Sequence, residues 1–155
     1  MPKTEALGEN ARNQIAEGLS RVLADTYALY LKTHNYHWNV EGPKFRALHM
    51  MFEEEYTELA TAVDEIAERI RALGRYAPGS YEQFAELATV KGETEVPKAE
   101  EMVRRLVADM ETVCGTIRTV LPQAQEAGDE VTADLLIGRL AVHEKATWML
   151  RSLVK

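Results

Sequence analysis

Apolar residues recur every three or four positions along four long stretches of this chain, the spacing of amphipathic α-helices. In the first, from about Glu9 to Asn39, the inward face is Ile15, Leu19, Val22, Leu23, Thr26, Leu29 and Tyr30. The second carries Phe45, Phe52, Tyr56, Leu59, Val63, Ile66 and Ile70; Pro43 suits its first helical position and Gly74 its C-terminal cap. A third opens at Pro97, sets Glu100 and Glu101 in its first turn where negative charge favours a helix, and repeats Val103, Leu106, Met110, Val113, Ile117 and Val120. Pro122 is expected to kink or shorten its end, because proline offers no N–H to the helix. Gly128-Asp129 reads as a stop followed by a start, and the fourth helix, about Glu130 to Ser152, turns Leu135, Leu136, Leu140 and Leu150 inward with Trp148 nearby.

Between Arg75 and Val96 the periodicity fades around Pro78, Gly79 and Gly92, and only Tyr81 to Ala88 reads as a short helix. A connection this long exceeds what a helical hairpin needs. It is long enough to travel the length of a bundle, so the pattern predicts an all-α four-helix bundle with one long crossover connection containing a short helix.

With 155 residues, 46% of them hydrophobic, the chain supports one domain over 1–155, preceded by a short polar segment, 1–8. No apolar leader and no run of about eighteen apolar residues is visible, so neither a signal peptide nor a membrane span is expected, and the cytoplasm is the expected location. Cys114, without a second cysteine to pair with, is expected to be a packed core thiol beside Val113 and Ile117. A net charge of −7 opposes nucleic-acid binding, which rests on lysine and arginine neutralising phosphates. Lys3 and Arg12 are offset by Glu5 and Glu9, and the C-terminal Arg151 and Lys155 do not make a basic tail.

The chemistry gathers around the first turn and the second helix, in His37, His49, Glu53, Asp64 and Glu68. With His49 at zero on a helical wheel, Glu53 falls near about 40°, Asp64 near about 60° and Glu68 near about 100°, one sector bordering the apolar stripe. Ala60 and Ala67 share that sector and would let another helix approach closely. Arg46 and Arg71 share it too, and taken singly each acidic residue there is more often a solvated or ion-paired flank. As a set the five differ, because His37 falls at the angle of Leu19 on the first helix and the Val40-Glu41-Gly42-Pro43 turn brings it level with His49. His49 and Asp64 are fifteen residues apart, roughly 22 Å along one helix axis, so a single chain cannot close a site from them. An antiparallel pairing of this helix with its own copy does, setting His49 and Glu53 of one chain beside Asp64 and Glu68 of the other in two identical sites. Two imidazoles with several carboxylates and no thiolate suit iron or manganese, with zinc as an alternative occupant. No Glu-x-x-His pair occurs anywhere in the sequence, so an intra-subunit di-iron centre of bundle type has no ligands.

The run HWNVEGPKFRALHMMFEEEYTELATAVDEIAERIRALG resembles the signature of the Dps family, the mini-ferritins, in its HW-x-x-x-G-x-x-F-x-x-LH and D-x-x-AER elements, and the likeness extends over essentially the whole chain. The resemblance implies a ferritin-like bundle assembled as a twelve-subunit shell that oxidises Fe(II), with hydrogen peroxide preferred to dioxygen, and stores the ferric product. Through it, His37 and His49 correspond to histidine ligands of one subunit, Asp64 and Glu68 to carboxylates of its two-fold partner, and Glu53 to an acidic residue near a second metal position. Trp38 matches a tryptophan beside that centre, and Asp134 and Glu144 fall where carboxylates line three-fold pores, against the plainer reading of an acidic surface with Glu144 near Lys145. His34 is read as a surface or supporting residue, and His143 has no assigned role. The competing readings are a DNA-condensing structural protein with incidental metal binding and a zinc- or manganese-filled shell without turnover.

Overall fold

The computed structural model describes residues 7–155. Its elements are α1 (Glu9–Asn39), α2 (Phe45–Ala72), α3 (Tyr81–Leu87), α4 (Ala99–Ala127) and α5 (Glu130–Ser152), with no strand among the described residues. Four long helices form the bundle: α1 packs on both α2 and α4, α4 on α5, and α2 meets α5 only lightly. The apolar stripes do the joining. Ile15, Leu19, Leu29, Phe52, Ile66, Leu106, Ile117 and Leu136 are all sealed from solvent in one core cluster, each such side chain contributing about 1.5–3 kcal/mol. Leu7, at the end of the segment read as polar, is buried too; Lys3 and Glu5 lie outside the described residues.

The helix ends follow local rules. Gly74 stands at φ 87°, and Gly74 N–H to the Arg71 carbonyl and Arg75 N–H to the Ile70 carbonyl close the end of α2 in a Schellman motif. Gly128, at φ 76°, closes α4 in the same way, and the Asp129 side chain then accepts from Thr132 N–H to start α5. Three proline expectations need correction. Pro43 sits in the turn before α2, where Phe45 N–H bonds the Gly42 carbonyl, and α4 starts two residues after Pro97. Pro122 neither ends nor shortens α4, which continues to Ala127 because the packed faces on either side outweigh one missing hydrogen bond. Along α2, Phe45 departs from its stripe and is largely exposed, as is Trp148 on α5, while Leu135 and Leu140 are only half-buried.

The crossover runs beside α1 and is nailed to it by polar contacts. Ser80 and Gln83 form a capping box that starts α3. Further on, the fully buried Asp25 carboxylate accepts from Thr89 N–H at 2.5 Å, Val90 N–H at 3.0 Å and the Thr116 hydroxyl at 2.6 Å. Lys32 donates to the Lys91 carbonyl and pairs with Asp109 at 2.9 Å, and the Tyr36 hydroxyl meets Glu93. No described helix is long and apolar enough to cross a membrane.

The α1–α4 contact is tightest at Gly18, where an added Cβ would stand 2.7 Å from Val120 Cγ1. Gly18→Ala should therefore destabilise the protein by about 1–3 kcal/mol, as overpacking does, lowering the calorimetric melting temperature. Val120→Ala in the same chain should restore most of that loss; equal melting of wild type and Gly18→Ala would contradict the close approach.

Candidate metal centre

His37 lies in the last turn of α1 and His49 in the second turn of α2, and the five residues between the helices fold them together. Their rings stack at 3.8 Å between centroids and 14° between planes. Each ring reaches across to the other's backbone: His37 Nδ1 is 2.8 Å from the His49 carbonyl oxygen, and His49 Nδ1 is 2.7 Å from the His37 carbonyl oxygen. A carbonyl only accepts, so both Nδ1 atoms carry the proton and donate it. In the neutral ring this tautomer leaves the lone pair on Nε2, the form in which imidazole binds a metal, with ring orientation fixed by the bond on the other side.

His37 is 7% exposed, whereas Glu53, one turn beyond His49, is open to solvent with Oε1 4.0 Å from His37 Nε2. Glu53 is thus already beside the imidazole pair. Phe45 stacks on the other side of His49 at 5.1 Å, which explains its departure from the core stripe. Asp64 and Glu68 are exposed farther along α2. They face each other: the Asp64 charge, then its hydrogen bond, push the Glu68 carboxyl above the usual glutamate range. Of the five candidates the chain brings together His37, His49 and Glu53 on one hand and Asp64 and Glu68 on the other. It does not bring the two groups to each other, and no cluster of three or more His, Cys, Asp or Glu able to hold a metal occurs among the described residues of one chain.

The other acidic and histidine residues take varied positions. In the acidic run Glu53-Glu54-Glu55, Glu54 is exposed but Glu55 is half-buried with Oε2 unpartnered, and burial followed by the Glu54 charge pushes its carboxyl up to about 8. Glu58 is bonded to Arg139, at 3.0 Å from its Nη2. Glu144 pairs with Arg118 of α4 at 2.8 Å and not with the adjacent Lys145, while Asp134 is exposed. His143, without a sequence role, is buried against Arg139 and Met110; burial first, then Arg139, depress it to about 3, a neutral core histidine. Cys114 is buried, and desolvation raises its thiol, as a packed core position requires. His34 was the residue undervalued in the sequence. It lies between Trp38 at 3.9 Å and Tyr56 at 4.2 Å, with its ring 6.0 Å from His37, and burial first, then the repulsion that a protonated His37 would exert, lowers its proton affinity. Its spacing of three from His37 and four from Trp38 was the available signal.

A family model of the ferritin-like domain matches residues 16–155. DNA protection during starvation protein 2 of Bacillus anthracis is 40% identical over 139 residues, spanning 90% of this chain and 95% of that protein. The crystal structure of the Dps protein from Vibrio cholerae, described as a member of a broad superfamily of ferritin-like diiron-carboxylate proteins, superposes with a TM-score of 0.94 at 32% identity, covering 100% of this chain and 98% of that one. A Dps protein from Bacillus brevis gives a TM-score of 0.92 at 37% identity over 96% of this chain and all of the other.

Proposed function

The chain belongs to the Dps family of ferritin-like proteins, and we propose that it is a ferroxidase that oxidises Fe(II) with hydrogen peroxide or dioxygen at sites shared between two copies and stores the ferric product in a hollow shell. The observation that carries this reading is the reciprocal His37–His49 pair, two imidazoles with proton-bearing Nδ1 atoms whose Nε2 atoms can bind a metal, set apart from the Asp64–Glu68 carboxylates farther along α2. Fe(II), the substrate, takes nitrogen from His37 and His49 and oxygen from Asp64 and Glu68 of a second copy, and Glu53 assists a second, weaker iron. Two ferrous ions together supply the two electrons that, with two protons from solvent, turn one peroxide into two waters, so that hydroxyl radical is not released. Zinc or manganese fits the same donors without turnover.

Assembly has support on two faces. Leu31, Trp38, Phe45 and Met50 are exposed apolar residues of α1 and α2, and Val131, Ile137, Val142 and Met149 are exposed apolar residues of α5. Two separate apolar faces suit contacts of two kinds, as closing a shell beyond a dimer requires; a dodecamer is the assembly proposed. Direct DNA binding is disfavoured: the net charge is −7, and Arg104, Arg105, Arg118 and Arg151 are each paired with a glutamate. Protection would come from removing iron and peroxide, in the cytoplasm.

Anaerobic Fe(II) titration tests the shared site. Asp64→Ala and the double variant His37→Ala/His49→Ala should each lose tight binding by at least about a hundredfold, more than the loss of a supporting group alone. Shells co-assembled from equal amounts of the two should recover about a quarter of the pockets, since half the dimers are mixed and each holds one complete site. No recovery in mixed shells of normal size would show that the halves do not come from different copies.

Acidification should weaken Fe(II) binding and binding should release protons, because the cation competes with protons for the imidazole nitrogens and for the Glu68 carboxylate, which the neighbouring Asp64 makes a better proton acceptor than usual. Proton uptake on binding, measured in weakly buffered solution, would have the wrong sign for this site. In a gel-shift series, DNA should migrate unretarded at physiological salt.

A further inference from the structure

On α2 a second set of donors points away from the imidazole pair. Met51 follows His49 by two residues and Glu55 follows Glu53 by two, which turns both about 200° round the helix. Four residues apart, Met51 and Glu55 share a face, and there they line a cavity of about 270 Å³ together with Met110 of α4 and Met149 of α5. Half of the chain's six methionines thus border one cavity. Glu55 Oε2 is buried and has no hydrogen-bond partner.

Core filling does not account for this arrangement. A methionine that serves packing is sealed, as Met102 is, whereas Met51 is half-buried and Met149 is 44% exposed. Met110 is held in place by its neighbours: His143 Nδ1 lies 3.1 Å from its sulfur, and Arg139 Nη2 lies 3.2 Å from His143 Nε2. A guanidinium only donates, so Nε2 accepts and Nδ1 gives its proton to the sulfur. The lone pair of His143 is thereby engaged, which makes this imidazole a support for Met110 and not a metal ligand. Of the other glutamates on the cavity, Glu58 is bonded to Arg139 and Glu54 is exposed. Lys145 borders the cavity from an exposed position, where water screens its charge. Uncharged sulfurs around a buried carboxylate oxygen with nothing to bond call for a cation.

We propose that the thioethers of Met51, Met110 and Met149, with the Glu55 carboxylate, form a separate metal site that takes Cu(I). Thioethers are soft donors that select Cu(I), whereas Fe(II) and Mn(II) draw on imidazole and carboxylate. Charge agrees with this choice, since three neutral sulfurs and one carboxylate balance a single positive charge. Methionine is unbranched and turns about three side-chain bonds, so the sulfurs can close on an ion inside the cavity. The site shares no donor with the iron pocket proposed above and does not depend on it.

Ag(I), which shares the charge and softness of Cu(I) without its redox chemistry, tests the site in the assembled iron-free protein, with Cys114→Ala removing the competing thiol. With isotope-labelled methionine methyl groups, nuclear magnetic resonance should show Met51, Met110 and Met149 shifting together and saturating at one ion per chain. Met102, sealed in the core and off the cavity, should stay in place. X-ray absorption of the same protein loaded with Cu(I) should show a sulfur shell around the metal. Met149→Leu and Glu55→Gln should each weaken Ag(I) binding by about tenfold or more, whereas Lys145→Gln, which removes a nearby positive charge, should strengthen it. Shifts confined to the exposed Met50 and Met149, a shell of nitrogen alone, unchanged affinity in Met149→Leu or Glu55→Gln, or weaker binding in Lys145→Gln would each overturn the site. Because no iron is present, failure here leaves the ferroxidase reading standing, and failure of Fe(II) oxidation in the parent protein leaves the Cu(I) site standing.

Discussion

Two hydrogen bonds crossing in opposite directions, His37 Nδ1–H to the His49 carbonyl and His49 Nδ1–H to the His37 carbonyl, hold the end of α1 against the start of α2. They have a structural and a chemical consequence at once. Structurally, the carbonyls are tied by side chains near the α1–α2 turn, which sets the register in which the two helices run alongside each other. Chemically, one tautomer is selected for each ring, and both lone pairs are kept available. A metal pocket built on this pair would need no reorganisation of its nitrogen half, which lowers the cost of assembling a site from two chains.

That half-site depends on the rest of the bundle holding its base still. The neutral His143 and the Arg139–Glu58 contact fix α5 near the middle of α2, and Arg69 with Asp129 and Thr132 fixes the start of α5 against the far end of α2. On the opposite side the buried Asp25 carboxylate, an expensive group to desolvate, is satisfied by three donors and anchors the crossover along α1. The stretch of α2 carrying Asp64 and Glu68 remains exposed between these supports. Its carboxylates lie farther along α2 from the imidazoles of the same chain, so the proposed site would draw its two halves from different copies.

The sequence by itself determined the helices, their order and most of the buried face, because the three-four spacing of Leu, Ile, Val and Phe leaves an amphipathic helix few ways to bury its stripe. It also determined that His49 and Asp64 cannot meet within one chain, since helical rise alone sets them apart. Helix ends marked by glycine at positive φ were readable for the same local reason; those marked by proline were not, because tertiary packing carried α4 through Pro122. Only the tertiary structure decided the tautomers of His37 and His49, the stacking of His34 between Trp38 and Tyr56, and the pairing of Glu144 with Arg118 over Lys145. Each of these turns on where a side chain points across a helix–helix contact, a matter of ångströms and ring orientation that residue spacing along one helix does not encode.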